Sequence, residues 1–181
     1  MKITKILIIF VLLIFQKQAF AQKNNTPDLF EICRNGDVAT LTKMLKKDAK
    51  LVNYKQSNGF TPLIIASYNG QTEIAKILLE KGADINAQDK SGNTALMGLC
   101  FKGNLELIKL FLANKESKIN INLVNFNNAS ALIFAATFGH IEIAKALLAS
   151  GADKNLKDNT GKTAFNHAVL QENKAMIEIL R

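Results

Sequence analysis

The stretch Asn58-Gly59-Phe60-Thr61-Pro62-Leu63-Ile64-Ile65-Ala66 returns along the chain. Gly92-Asn93-Thr94-Ala95-Leu96 and Gly161-Lys162-Thr163-Ala164-Phe165 answer it, and Asn128-Ala129-Ser130-Ala131-Leu132 is a degenerate copy. The equivalent positions are 59, 92, 128 and 161, so the steps between them are 33, 36 and 33 residues. A fixed period of this length marks an array of stacked units, each completing its core against its neighbours.

One unit can be read from its residues. Gly59 stands where a tight turn needs positive φ. Thr61 is an N-cap, and Pro62 takes the first helical position, where its missing N–H costs nothing. Leu63 and Ala66 begin a short apolar-faced helix, which Gly70 ends as a left-handed cap. A second helix follows, with Ile74, Ile77 and Leu78 at core spacing and Glu73 and Lys76 outside. Gly82 caps it and the chain runs on into the next turn. The expected fold class is therefore all-α, a solenoid of stacked turn–helix–helix repeats.

These units resemble ankyrin repeats. The resemblance is carried by Thr61-Pro62-Leu63, Gly70, Gly82-Ala83-Asp84-Ile85-Asn86, Gly139-His140-Ile141-Glu142-Ile143 and Gly151-Ala152-Asp153-Lys154-Asn155, and it covers residues 28–181. The repeats fall at about 28–55, 56–88, 89–124, 125–157 and 158–181. The first is degenerate and the last truncated, as expected of terminal units that meet water. The third carries a three-residue insertion, with Asn114 to Ile121 in place of Gly-Ala-Asp, read as a neutral loop extension. The family's usual histidine after Thr-Pro-Leu is replaced by Ile64, Met97, Ile133 and Asn166, so its hydrogen bonds should be absent.

Residues 1–21 read as a secretory signal peptide. Lys2 and Lys5 form a basic start, Ile6 to Phe15 is an unbroken apolar run, and Ala19-Phe20-Ala21 is a small-x-small cleavage site before Gln22. The apolar run is ten residues long, and a bilayer span needs about twenty. Residues 22–27 read as a polar linker. The mature chain is expected to be exported, periplasmic or secreted, with no stable membrane anchor and as a monomer. The whole chain carries +8, and removal of three leader lysines leaves +5. That modest excess gives no reason to expect a nucleic-acid site.

Cys33 and Cys100 occupy the same register two repeats apart, and Ser67 and Ala136 fill that position elsewhere. Stacked helices lie about 8–10 Å apart, which puts the two thiols far beyond the Cα separation of about 7 Å that a disulfide allows. Both are expected to be small core residues. His140 and His167 have no Cys, His or Asp partner at ligand spacing, so no metal or other cofactor is expected. No catalytic motif is present. Glu73–Lys76, Glu106–Lys109 and Glu142–Lys145 recur on the second helix at i, i+3 spacing, as a solvated face of mutually screened charges.

The resemblance implies that the turn tips and the outer side of the first helices form a concave protein-binding surface. Five aromatic residues fall on those positions: Phe60, Tyr68, Phe101, Phe126 and Phe138, with Lys90, Lys102 and Lys162 at the rim. Aromatic side chains are enriched at interface cores. The expected function is thus a non-catalytic protein–protein interaction module. The alternatives are a small enzyme on a repeat scaffold, which would need clustered polar residues in a cleft, and a binder of an anionic envelope surface, which would need its positive charge on one face.

Overall fold

The computed structural model describes residues 28–114 and 118–181. The expected leader and linker lie outside the described residues. Ten α-helices in five pairs follow: α1 Leu29–Asn35, α2 Val38–Lys47, α3 Pro62–Tyr68, α4 Thr72–Glu80, α5 Ala95–Lys102, α6 Leu105–Ala113, α7 Ala131–Thr137, α8 Ile141–Ala149, α9 Ala164–Leu170 and α10 Lys174–Leu180. A short 3-10 turn, Ala49–Asn53, leads out of the first pair. No strand occurs among the described residues; two isolated bridges, Gln88 to Thr94 and Val124 to Ser130, close hairpins. The first helices α1, α3, α5, α7 and α9 pack each on the next, and the second helices pack in the pairs α2–α4, α6–α8 and α8–α10. This is the all-α solenoid expected from the period.

The first helices of the second to fifth repeats each start on a hydroxyl cap, whereas α1 starts on the carboxylate of Asp28. Thr61, Thr94, Ser130 and Thr163 accept the backbone N–H three residues on, at 3.2, 3.3, 3.3 and 3.4 Å. Such a bond satisfies one donor that the helix cannot use itself. The histidine of the family pattern is gone, and at two caps the residue in its place bonds back to the cap nitrogen. Asn166 Oδ1 accepts from the Thr163 N–H at 2.9 Å, and Met97 Sδ lies 3.5 Å from the Thr94 nitrogen.

The hairpins before these helices share one design. Asp89, Asn125 and Asp158 each accept two backbone N–H bonds from residues two and four positions on, at 2.8 to 3.0 Å. The fourth residue of each turn has positive φ: Gly59 at 84°, Gly92 at 79° and Gly161 at 76°. In the degenerate copy this residue is Asn128, at 55°. Asparagine tolerates the left-handed region better than other side chains, so the turn survives loss of its glycine. At Gly59 a Cβ would also stand 2.7 Å from the Lys90 nitrogen, so the close approach of the next hairpin needs glycine as well. Lys90, Phe126 and Asn159 donate their backbone N–H groups to Asn58, Ser91 and Asn127 of the preceding hairpin, each at 2.9 Å.

The opposite edge is stitched by asparagines. Asn53 bonds both Gly82 O and Asp84 N, Asn86 bonds Lys118 O and Asn120 N, and Asn122 bonds Gly151 O and Asp153 N. Lys118-Ile119-Asn120 therefore takes the place of Gly-Ala-Asp in the third repeat, and the insertion is confined to residues 114–117. Of these, 115–117 lie outside the described residues.

The core is continuous through all five units. Leu41, Leu63, Ile74, Leu78, Leu96, Leu107, Ile108, Leu132, Ile143, Leu147 and Met176 are all buried in it. In α4, Ile77 is only half-buried, and Ala75 and Leu79 complete the inward face. Cys33 and Cys100 are fully buried free thiols. Burial pushes the Cys33 thiol up to about 12, helped by the Asp28 carboxylate, and burial alone raises that of Cys100. Thiolate chemistry is suppressed at both.

The charged face differs from the expected pairing in one place. Lys76 meets Glu73 and Lys145 meets Glu142, both at 2.8 Å, but Glu106 reaches back to Lys76 of the preceding repeat at 3.5 Å. Lys76 thus bridges α4 and α6, and Lys109 is left outside the pairing.

Candidate protein-binding face

In the second to fifth repeats the outer turn of the first helix carries a residue seven positions after its N-cap: Tyr68, Phe101, Thr137 and Leu170. Three large side chains and one small one define the row. Tyr68 and Phe101 lie 6.3 Å apart between ring centroids and tilted. Phe101 and Phe138 meet edge to face, at 4.8 Å and 87°. Phe134, one turn earlier on α7, stacks on Phe138 at 6.3 Å and 26°. T-shaped and offset contacts of this kind follow from the ring quadrupole, negative on the face and positive at the edge.

The rings differ in how much they offer to a partner. Phe101 is 43% exposed, Phe138 45% and Phe126 74%. Tyr68 and Phe60 are half-buried and packed on the core. Tyr68 has a specific seat: a Cβ on Gly98 would stand 2.6 Å from its Cδ2, so the glycine inside α5 makes room for the ring. A helix-interior glycine costs about 1 kcal/mol relative to alanine, and seating the ring is what that position gains. Burial pushes the Tyr68 hydroxyl up to about 12, with the carboxylate of Asp89 adding to it.

Of the residues expected on this face, the structure brings Tyr68, Phe101 and Phe138 into one chain of rings. Phe60 and Phe126 stand apart from it; Phe126 sits on the fourth hairpin against Gly92. Lys90 and Lys102 are exposed and Lys162 is half-exposed, its Nζ donating to Thr160 Oγ1 at 3.0 Å. None of the three forms an ion pair among the described residues. Sequence reasoning missed Phe134, although its place one helical turn before Phe138 was a signal.

It also missed Asp158 and His167. His167 Nε2 lies 2.7 Å from Asp158 Oδ2, a contact that the search for partners at ligand spacing did not anticipate. The nine-residue spacing crosses from hairpin to helix and matches no ligand motif. Asp158 Oδ1 also accepts from Thr160 Oγ1 at 2.7 Å. Hydrogen bonds from Thr160, Lys162 and His167 hold its carboxyl well below the usual carboxylate range. The pair faces a cleft of about 340 Å³ between α7 and the hairpin of the fifth repeat at Asp158 (called the fifth hairpin), lined chiefly by Ile133, Phe134, Thr137 and Phe138 on the apolar side. No group of three or more metal-ligating side chains occurs among the described residues.

Asp158→Asn isolates the charge, because Asn125 already shows that asparagine can hold the hairpin. A depressed carboxylate pKa contributes stability that is present above the unfolded value of about 3.9 and is lost as pH falls through the folded value. Denaturation midpoints of the two proteins are expected to differ most above about pH 5 and to converge toward about pH 2. A constant gap over that window would contradict the assignment.

Family models for ankyrin repeats match residues 5–89 and 96–181, and a second ankyrin-repeat model matches residues 70–112. The chain is similar to ankyrin repeat and SAM domain-containing protein 6 of Rattus norvegicus, with 31% identity over 78% of the chain. It is similar to the ankyrin repeat and KH domain-containing protein mask-1 of Caenorhabditis elegans, with 33% identity over 90%. It also matches the nuclear factor NF-kappa-B p105 subunit of Gallus gallus, with 32% identity over 68%. The chain spans 16%, 6% and 13% of these relatives, so the matches concern their repeat regions. Period, hydroxyl-capped helix pairs, hairpin contacts and family match agree: this chain belongs to the ankyrin repeat family, whose repeats are modules of protein–protein interaction.

Proposed function

We propose that the chain is an exported, non-catalytic binding module that captures a protein partner on the concave face made by its hairpin tips and first helices. The observation that carries this reading is the exposure of Phe101 and Phe138 in mutual contact near the middle of the array. Large rings left in water at the centre of a surface are the side chains on which binding energy concentrates. Lys90, Lys102 and Lys162, unpaired with any carboxylate among the described residues, would steer the partner. The module acts as a monomer and takes neither nucleic acid nor cofactor. No helix among the described residues is long and apolar enough to cross a membrane.

The test is capture of a partner from native periplasm or medium by the chain from Gln22 onward, with Phe101→Ala and Phe138→Ala as parallel baits. Loss of the partner from both variants supports the face; retention on both overturns it. Export rests on Ala19-Phe20-Ala21. The intact mass of the exported protein is expected to begin at Gln22, and recovery of the full-length chain as an integral membrane species would overturn that part of the reading.

A further inference from the structure

We propose that the cleft between α7 and the fifth hairpin receives a tyrosine side chain of a partner segment in which acidic residues flank that tyrosine. This rests on the reading above that the hairpin and first-helix face captures a protein, and it names what one part of that face recognises.

The cleft exists because of one residue. Position seven after the N-cap is large in the second, third and fifth repeats, as Tyr68, Phe101 and Leu170, and small only at Thr137. The space that a large side chain would take there stays open, about 340 Å³ of it. That is ample for one aromatic side chain, and pockets of this size bind through apolar walls and a few placed polar groups. The walls are Ile133, Phe134 and Phe138, with the two rings already stacked on each other.

The polar end selects among aromatic side chains. Asp158 is ionised and can only accept, so the hydrogen between it and His167 belongs to Nε2. That leaves Nδ1 at the other side of the ring, and no hydrogen bond from the described residues occupies it. A ring with a hydroxyl at its tip matches both ends of the cleft, the apolar body against Phe134 and Phe138 and the hydroxyl, which can donate or accept, bonded to Nδ1. A phenylalanine would leave Nδ1 unpaired, which is the more costly outcome for a desolvated polar group. The charge at the mouth selects the flanks. Lys162 does not line the cleft itself, but its Nζ donates at 3.0 Å to Oγ1 of the lining residue Thr160 and meets no carboxylate among the described residues. Carboxylates beside the tyrosine would pair with it.

The probe is a short acetylated peptide with a central tyrosine between glutamates, labelled for fluorescence anisotropy. Its comparators carry phenylalanine at the centre or lysines at the flanks. Saturable binding of the glutamate–tyrosine peptide is expected, weaker by about tenfold or more when either feature is changed. Thr137→Phe installs the residue that Phe101 supplies one repeat earlier, so the fold should accept it, and binding should fall by at least as much. Lys162→Glu should turn the flank preference toward lysine. The assignment is overturned by failure of the tyrosine peptide to saturate, by equal affinity for the phenylalanine peptide, or by undiminished binding to Thr137→Phe. With the natural partner, loss on Phe101→Ala but retention on Thr137→Phe would keep the face and remove the cleft from it. Retention on both would remove both.

Discussion

Leu96→Ala is expected to cost the protein roughly 2–5 kcal/mol, the range for truncating a buried leucine. Leu96 is 3% exposed and lies on α5, the first helix of the middle repeat, which packs against both α3 and α7. A stacked array cannot route around a defect in its middle. Each unit contacts only its neighbours, so a cavity there weakens the coupling of both halves at once. The whole stability of such a domain is only about 5–15 kcal/mol. Urea denaturation read by circular dichroism is the measurement, with the midpoint falling well below that of the wild type. An unchanged curve would mean that α5 does not stand where the stack needs it.

Phe101→Ala and Phe138→Ala are expected to reduce partner capture by about tenfold or more, since about 1.4 kcal/mol is one decade of affinity and a central aromatic anchor often exceeds 2 kcal/mol. Each ring is nearly half exposed, so neither truncation opens a buried cavity. The edge-to-face contact at 4.8 Å does make the two interdependent. Such a pair is worth about 0.5–1.5 kcal/mol beyond its buried area, so each variant should lose about 1 kcal/mol of folding stability while remaining folded. Lys76→Ala is the control. It removes the bridge between α4 and α6 on the charged second-helix face, far in register from the rings, and should leave capture unchanged. Melting curves and binding isotherms on the same samples separate the two effects. Variants that unfold outright would place these rings in the core and the binding face elsewhere.

The double phenylalanine row shows where a linear pattern stops being informative. The period, the Thr and Ser caps and the inward Leu and Ile positions could be read directly, because each depends on neighbours within about one helical turn or on a fixed repeat. The replacement of Gly59 by Asn128 in the degenerate copy was tolerable on local grounds alone.

What the tertiary structure decided are the contacts whose partners lie tens of residues apart, with no local rule joining them. Glu106 has Lys109 within its own helix at the same spacing that joins Glu73 to Lys76, yet it turns to Lys76 thirty residues away because stacking brings α4 beside α6. Gly98 looks like a flaw in a helix until the ring of Tyr68 is seen to occupy the space of its missing side chain. Asp158 and His167 belong separately to a turn and a helix, and only the fold of one onto the other puts 2.7 Å between them. Exposure is decided the same way. Phe60, Tyr68, Phe101, Phe126 and Phe138 are alike as letters in a repeat, but packing against the neighbouring unit half-buries the first two and leaves the other three in water.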